Sequence, residues 1–108
     1  MRNANVNKMN SLDCLVIALC RDYERRERAI REGIATRRTL VEFRYYNFKI
    51  VEATCEVVSE NEAMIYIKEI GENIGYANSR IPGISEVAYK KFKKLIRENI
   101  AKKLHLSD

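Results

Sequence analysis

Glycine and proline are scarce in this sequence, with four of the first and one of the second among 108 residues. A chain of many short strands needs many tight turns, so the scarcity disfavours an all-β fold. Histidine is scarcer still, since His105 is the only one. The three cysteines, Cys14, Cys20 and Cys55, include no Cys-x-x-Cys pair, and a zinc site would need ligands from more than one chain. On a helix, Cys14 and Cys20 fall on different faces and too far apart along the axis to bridge. All three read as small hydrophobes, and neither a metal nor a cofactor is expected. Long apolar runs are missing too. The stretch Cys14–Cys20 falls well short of the roughly 20 residues of a membrane span. It runs straight into the charged Arg21-Asp-Tyr-Glu-Arg-Arg-Glu-Arg28. No small-residue cleavage site follows an apolar stretch near the N-terminus. A cytoplasmic protein with no membrane partner is expected.

What the sequence does have is a charge asymmetry. Residues 1–79 hold 12 Lys/Arg and 12 Asp/Glu and are neutral. From Arg80 to Leu106 there are eight basic residues, Arg80, Lys90, Lys91, Lys93, Lys94, Arg97, Lys102 and Lys103, against only Glu86 and Glu98, a net of +6. A neutral body with a basic C-terminal segment suggests a docking surface for a polyanion. A solvated lysine-rich helix is the plainer reading of the same residues.

The spacing of apolar residues predicts helices throughout. The size fits one domain, residues 11–108, with 1–10 as a loose Asn-rich N-terminal arm. Ser11 is a candidate cap for a first helix over 12–32, with Leu12, Leu15, Val16, Leu19, Tyr23 and Ile30 at helical spacing and Gly33 as the stop. Its interleaved Glu24–Glu32 half reads as an exposed, self-neutralising face. A second helix runs over 36–58 on Leu40, Phe43, Tyr46, Ile50, Ala53 and Val57. A strand over 49–58 competes, but the stripe does not alternate. Ser59-Glu-Asn-Glu62 has capping-box spacing and starts a third helix over 63–73, on which Glu69 and Glu72 read as a solvated face. Residues 75–83 form a loop punctuated by Pro82-Gly83. Ser85 then caps a last helix to about Leu104. The expected architecture is an all-α, single-domain bundle of about four helices. Leu15, Leu19, Phe43, Ile50, Ile67, Ile70, Phe92 and Leu95 are expected to be buried together.

On a helical wheel the last helix places Ala88, Phe92, Leu95 and Ile96 on one side and Lys90, Lys94 and Arg97 opposite, with Lys93 at their edge. Lys102 and Lys103 point elsewhere. Such a helix can lie against nucleic acid or on an anionic membrane. The membrane use needs a free apolar face, which a bundle core requires for itself, so nucleic acid ranks first. Upstream, Ile67-Lys-Glu-Ile-Gly-Glu-Asn-Ile-Gly75 resembles the first helix of a helix-turn-helix, as in the DNA-binding C-terminal region of bacterial sigma factors. That resemblance implies that Gly71 packs against a crossing helix and that Gly75 opens the turn.

The stretch Ile84-Ser-Glu-Val-Ala-Tyr-Lys-Lys-Phe-Lys-Lys-Leu-Ile-Arg-Glu-Asn-Ile-Ala-Lys-Lys-Leu104 resembles the closing helix of ArpU-like phage transcriptional regulators. Tyr23 with Arg26 and Ile30, and Tyr45-Tyr-Asn-Phe-Lys-Ile50 with Ala53, are similar to the N-terminal half of that group. The resemblance implies prophage late-gene control through DNA, a helix-turn-helix-like C-terminal half, and no catalysis. One departure is plain. A compact helix-turn-helix has a turn of three or four residues, whereas Gly75 to Ser85 is longer, and Pro82 bars a continuous recognition helix from Ala77. Either a short helix at 76–80 intervenes, or the motif has drifted from base reading.

Two functions follow as expectations. The first is a DNA-binding transcriptional regulator, a homodimer on double-stranded DNA. Its phosphate contacts would be Arg80, Ser85, Lys90, Lys93, Lys94 and Arg97, with Ser79 a further hydroxyl. The second is a helical protein–protein interaction protein. Its adhesive element would be the second helix, where Tyr45, Tyr46 and Phe48 put three aromatics within four residues. An enzyme with a small-molecule substrate is not expected, because His105 has no partner at catalytic spacing and no Gly-rich phosphate loop is present.

Overall fold

The computed structural model describes residues 10–107, so the expected arm at 1–10 lies outside it except for Asn10. Among the described residues there are five α-helices, one 3-10 turn and no strand: α1 (Ser11–Arg21), α2 (Tyr23–Glu32), α3 (Arg37–Cys55), α4 (Glu60–Gly71), the 3-10 turn Tyr76–Asn78, and α5 (Glu86–Lys103). The all-α expectation holds, and the strand alternative over 49–58 gives way to helix.

Short polar side chains start the helices where the orphan backbone N–H groups need acceptors. Asn10, not Ser11, caps α1, its Oδ1 accepting from Asp13 N at 2.8 Å. Thr36 Oγ1 accepts from Thr39 N, and Ser85 Oγ from Ala88 N, both at 3.2 Å. Ser59 does precede α4, but its hydroxyl makes no cap hydrogen bond. The helix begins at Glu60 rather than 63, and neither side-chain bond of a capping box forms. Gly33 ends α2 at φ 63°, a left-handed conformation suited to glycine.

The single helix expected over 12–32 is two helices, broken at Asp22 (φ −90°, ψ 5°). Val16, Ile17 and Cys20 are the buried residues of α1, which packs on α4 and α5. Tyr23, Arg26 and Ala29 are those of α2, which packs chiefly on α3. One straight helix cannot serve both sets of neighbours. Arg26 seals the junction and is buried, contrary to the exposed face expected there. Its Nε donates to Asn47 Oδ1 at 2.7 Å, and its Nη2 donates to the Leu19 carbonyl near the end of α1. Asn47 Nδ2 donates in turn to the Tyr23 carbonyl at 3.2 Å and Glu27 Oε2 at 2.8 Å. Burial lowers the Arg26 pKa from its usual value.

The core joins Val16, Ile50, Tyr66, Ile67, Ile70, Tyr89, Ile96 and Ile100, all almost fully buried. Of the expected core, Ile50, Ile67 and Ile70 are buried and Leu19 and Phe92 are half-buried against it. Phe43 is half-buried. Leu15 and Leu95 are corrections, exposed by 45% and 39%. Each lies beside the true inner face of its helix, a phase that apolar spacing alone does not fix.

Gly71 marks the tightest packing. A Cβ there would lie 2.7 Å from Arg21 N and 2.8 Å from the Cys20 carbonyl carbon. The end of α4 thus rests directly on the backbone of α1, as a small residue against a crossing helix. Arg21 Nε donates to the Gly71 carbonyl at 3.2 Å across the same contact.

Candidate nucleic-acid interface

The connection from Glu72 to Ser85 is held by a carboxylate. Glu69, expected on a solvated face, is 2% exposed. It accepts from Ser79 Oγ at 2.7 Å, from Arg80 N at 2.7 Å and from Tyr89 Oη at 2.8 Å. Three donors from the loop and α5 meet this one side chain of α4, and none is a cation. Tyr76 Oη adds a bond to the Ile84 carbonyl at 2.7 Å. The single turn at Tyr76–Asn78 is the short helix that the long spacing allowed. The C-terminal half therefore departs from a compact helix-turn-helix, since 14 residues (72–85) separate α4 from α5.

Tyr89 also sets the phase of α5. With its hydroxyl satisfied by Glu69, the ring turns inward and lies against Tyr66, centroids 5.9 Å apart. The buried residues are then Tyr89, Ile96, Ile100 and Ala101, so of the expected stripe Ala88, Phe92, Leu95 and Ile96 only Ile96 is fully buried. Lys93 follows the rotation. Its ammonium lies over the Tyr89 ring, with Nζ 4.9 Å from the centroid, and donates to the Ile74 carbonyl at 2.5 Å. Desolvation, and then repulsion from Arg97, push the Lys93 pKa down.

The six expected contact residues are thus spread over different roles. Ser85 caps α5. Lys90 pairs with Glu86 at 2.8 Å on an exposed surface. Lys93 ties down the loop. Arg97 is half-buried, its Nε 3.7 Å from Asp13 Oδ1, close enough for an ion pair and too long for a hydrogen bond. Arg80 is exposed and borders a separate cavity with Arg21, Lys68 and Glu72. Ser79 is engaged by Glu69. Of these basic residues Arg80 and Lys94 are exposed with no carboxylate within 4.0 Å among the described residues, and of the two only Lys94 lies on α5.

Two residues outside the expected set join it. Lys91 and Lys102 are exposed and likewise unpaired among the described residues. Helical spacing brings them to the same solvent side of α5 as Lys94, with Glu98 between. Lys94, Arg97 and Lys102 line one cavity of about 420 Å³ with Asn10, Asp13 and Glu98, at the start of α1. The expectation that Lys102 points elsewhere is corrected. Lys103 does turn away, to Glu56 at 2.7 Å and Glu52 at 3.8 Å. The hydrogen bond to Glu56 raises the Lys103 pKa. Bonds from Asn99 and then Lys103 lower that of Glu56. A wheel phased on Tyr89 would have found Lys91 and Lys102; one phased on Phe92 does not.

Among the described residues no helix is long and apolar enough to cross a membrane. No group of three or more His, Cys, Asp and Glu stands together there. No family model matches the chain, and no curated protein or solved structure does so either.

Proposed function

We propose that this protein binds double-stranded DNA through the phosphate backbone, with the solvent side of α5 as its contact surface. The observation that carries this is the sorting of cations along α5. Lys90, Lys93 and Lys103 are bonded within the chain, while Lys91, Lys94 and Lys102 face solvent with no acidic partner among the described residues. Backbone neutralisation needs positive charge on one side and no base-reading geometry. The resemblance of Ile84–Leu104 to the closing helix of ArpU-like regulators supports transcription control of phage type as the setting. A homodimer would supply two such surfaces.

The test is a salt titration. Wild-type protein on a generic duplex should lose affinity linearly on a plot of log affinity against log salt. Replacing Lys91, Lys94 and Lys102 together by Gln should flatten that slope by roughly 0.9 for each phosphate no longer neutralised, and should weaken binding to all sequences alike. Lys103→Gln should leave the slope unchanged. An absence of salt-dependent binding at low ionic strength overturns the reading. The interaction-protein reading then takes its place, favoured by Tyr45 and Phe48, which stand 42% and 64% exposed on α3.

A further inference from the structure

Helix α3 carries two stripes, and the fold buries one of them. Asn47, Ile50, Ala53 and Thr54 face inward. Val41, Tyr45 and Phe48 follow one another at four and three residues along the opposite side, and all three are exposed. The ammonium of Lys49 lies 5.9 Å from the ring centroids of both Tyr45 and Phe48, so one edge of the stripe carries a cation held against two aromatics. Scattered single apolar residues are ordinary on a surface; a continuous line containing two aromatic rings marks a contact surface.

The flanking charges identify the occupant. The first half of α3 is basic, with Arg37, Arg38 and Arg44 against Glu42; the second half and its cap are acidic, with Glu52 and Glu56 against Lys49. Glu42 and Lys49, seven residues apart, share one edge of the stripe. A second α3 laid antiparallel across Tyr45 brings Glu42 of each copy beside Lys49 of the partner subunit, twice. It also sets Arg38 toward Glu52 of the partner subunit. Laid parallel, the two copies would oppose Glu42 with Glu42 and Lys49 with Lys49. The pairs these residues make within the chain are long, Arg38–Glu42 at 3.8 Å, Lys49–Glu52 at 3.5 Å and Lys103–Glu52 at 3.8 Å, so exchanging them for pairs between copies costs little. A two-fold contact uses the same patch on both partners, and this patch is complementary to itself.

We infer that the outward face of α3 is a self-association surface, on which a second copy of this chain packs its own α3 antiparallel through Val41, Tyr45 and Phe48. The inference does not depend on DNA binding, and no DNA enters its test.

Sedimentation velocity over a concentration series measures it, with circular dichroism confirming that each variant keeps its helix content. Wild type should dimerise, and Phe48→Ser should weaken the dimer by tenfold or more. Glu42→Lys and Lys49→Glu should each weaken it by about tenfold, because each puts like charges together at two symmetric places. Mixed one to one, these two variants should recover dimers, since every 42–49 pair between them is again of opposite charge. Wild type that stays monomeric up to millimolar concentration overturns the inference. So does a dimer indifferent to Phe48→Ser, or a mixture no better associated than its components.

Discussion

Glu69 is a carboxylate whose three bonds come from a hydroxyl, a backbone N–H and a phenol. Neutral donors can satisfy a buried carboxylate when they converge, and here they also hold Ser79, Arg80 and Tyr89 in register. Glu69→Gln replaces one accepting oxygen by an amide that points hydrogens at donors. It should cost about 1–3 kcal/mol in urea unfolding. Amide exchange should quicken at Arg80 and Ile81 ahead of the rest of the chain. Unchanged protection there would mean that the loop is held by something else. Nothing in the sequence marks this residue. A glutamate on a helix reads as solvated, and its donors lie 10, 11 and 20 residues away in irregular chain and on the next helix, with no period to follow.

At the level of elements, the sequence is legible where a short polar side chain starts a helix and an apolar repeat runs on from it. Helices α3 and α5 lie within a few residues of their expected spans, and Thr36 and Ser85 stand at their starts. Legibility fails where a polar side chain decides the phase or the break. Tyr89 turns α5 because its hydroxyl has a buried acceptor, and Arg26 splits the first helix because its guanidinium bonds to the Leu19 carbonyl and Asn47. Apolar spacing carries no trace of either. It is why the wheel finds Lys94 on the candidate surface and misses Lys91 and Lys102. The close approach of α4 to α1 gives a sharp check on the architecture. Gly71→Ala places a methyl against the Cys20–Arg21 backbone, which is rigid. The change should cost about 1–3 kcal/mol through overpacking, although alanine favours helix over glycine. A neutral or stabilising result in urea titration would mean that the two backbones do not touch at this point.

For the molecule as a whole, two stacked tyrosines link α4 and α5 at the centre of the core. Burial pushes the pKa of Tyr66 and of Tyr89 up to about 12, and the bond to Glu69 adds to the effect at Tyr89. Each phenol is therefore protonated in the folded state over a range where the unfolded chain, near 10, has begun to ionise. The stability this represents is fully present below pH 10 and is lost as pH rises toward 12. Urea midpoints should fall between pH 9 and pH 11, and tyrosinate absorbance should show part of the six-tyrosine signal appearing only with unfolding. The Tyr66 hydroxyl is buried with no hydrogen-bond partner among the described residues. Tyr66→Phe should thus leave stability at neutral pH equal or improved and reduce the alkaline loss. A midpoint that does not change from pH 9 to pH 11 would contradict both assignments.

The unequal burial of the three cysteines also divides the thiols by reactivity. Cys20 is sealed under α4, and burial holds its pKa at about 12, so it has almost no thiolate at neutral pH. Cys55 is half-buried, whereas Cys14 is exposed on the first turn of α1. Alkylating reagents should therefore reach Cys14 first. That sulfur is one residue from Asp13, the carboxylate beside Arg97 in the basic cavity. A fluorophore attached at Cys14 would follow directly on a lining residue of that cavity, in wild-type protein with every other side chain unchanged, and a change in its emission on adding duplex DNA would test whether the cavity is occupied.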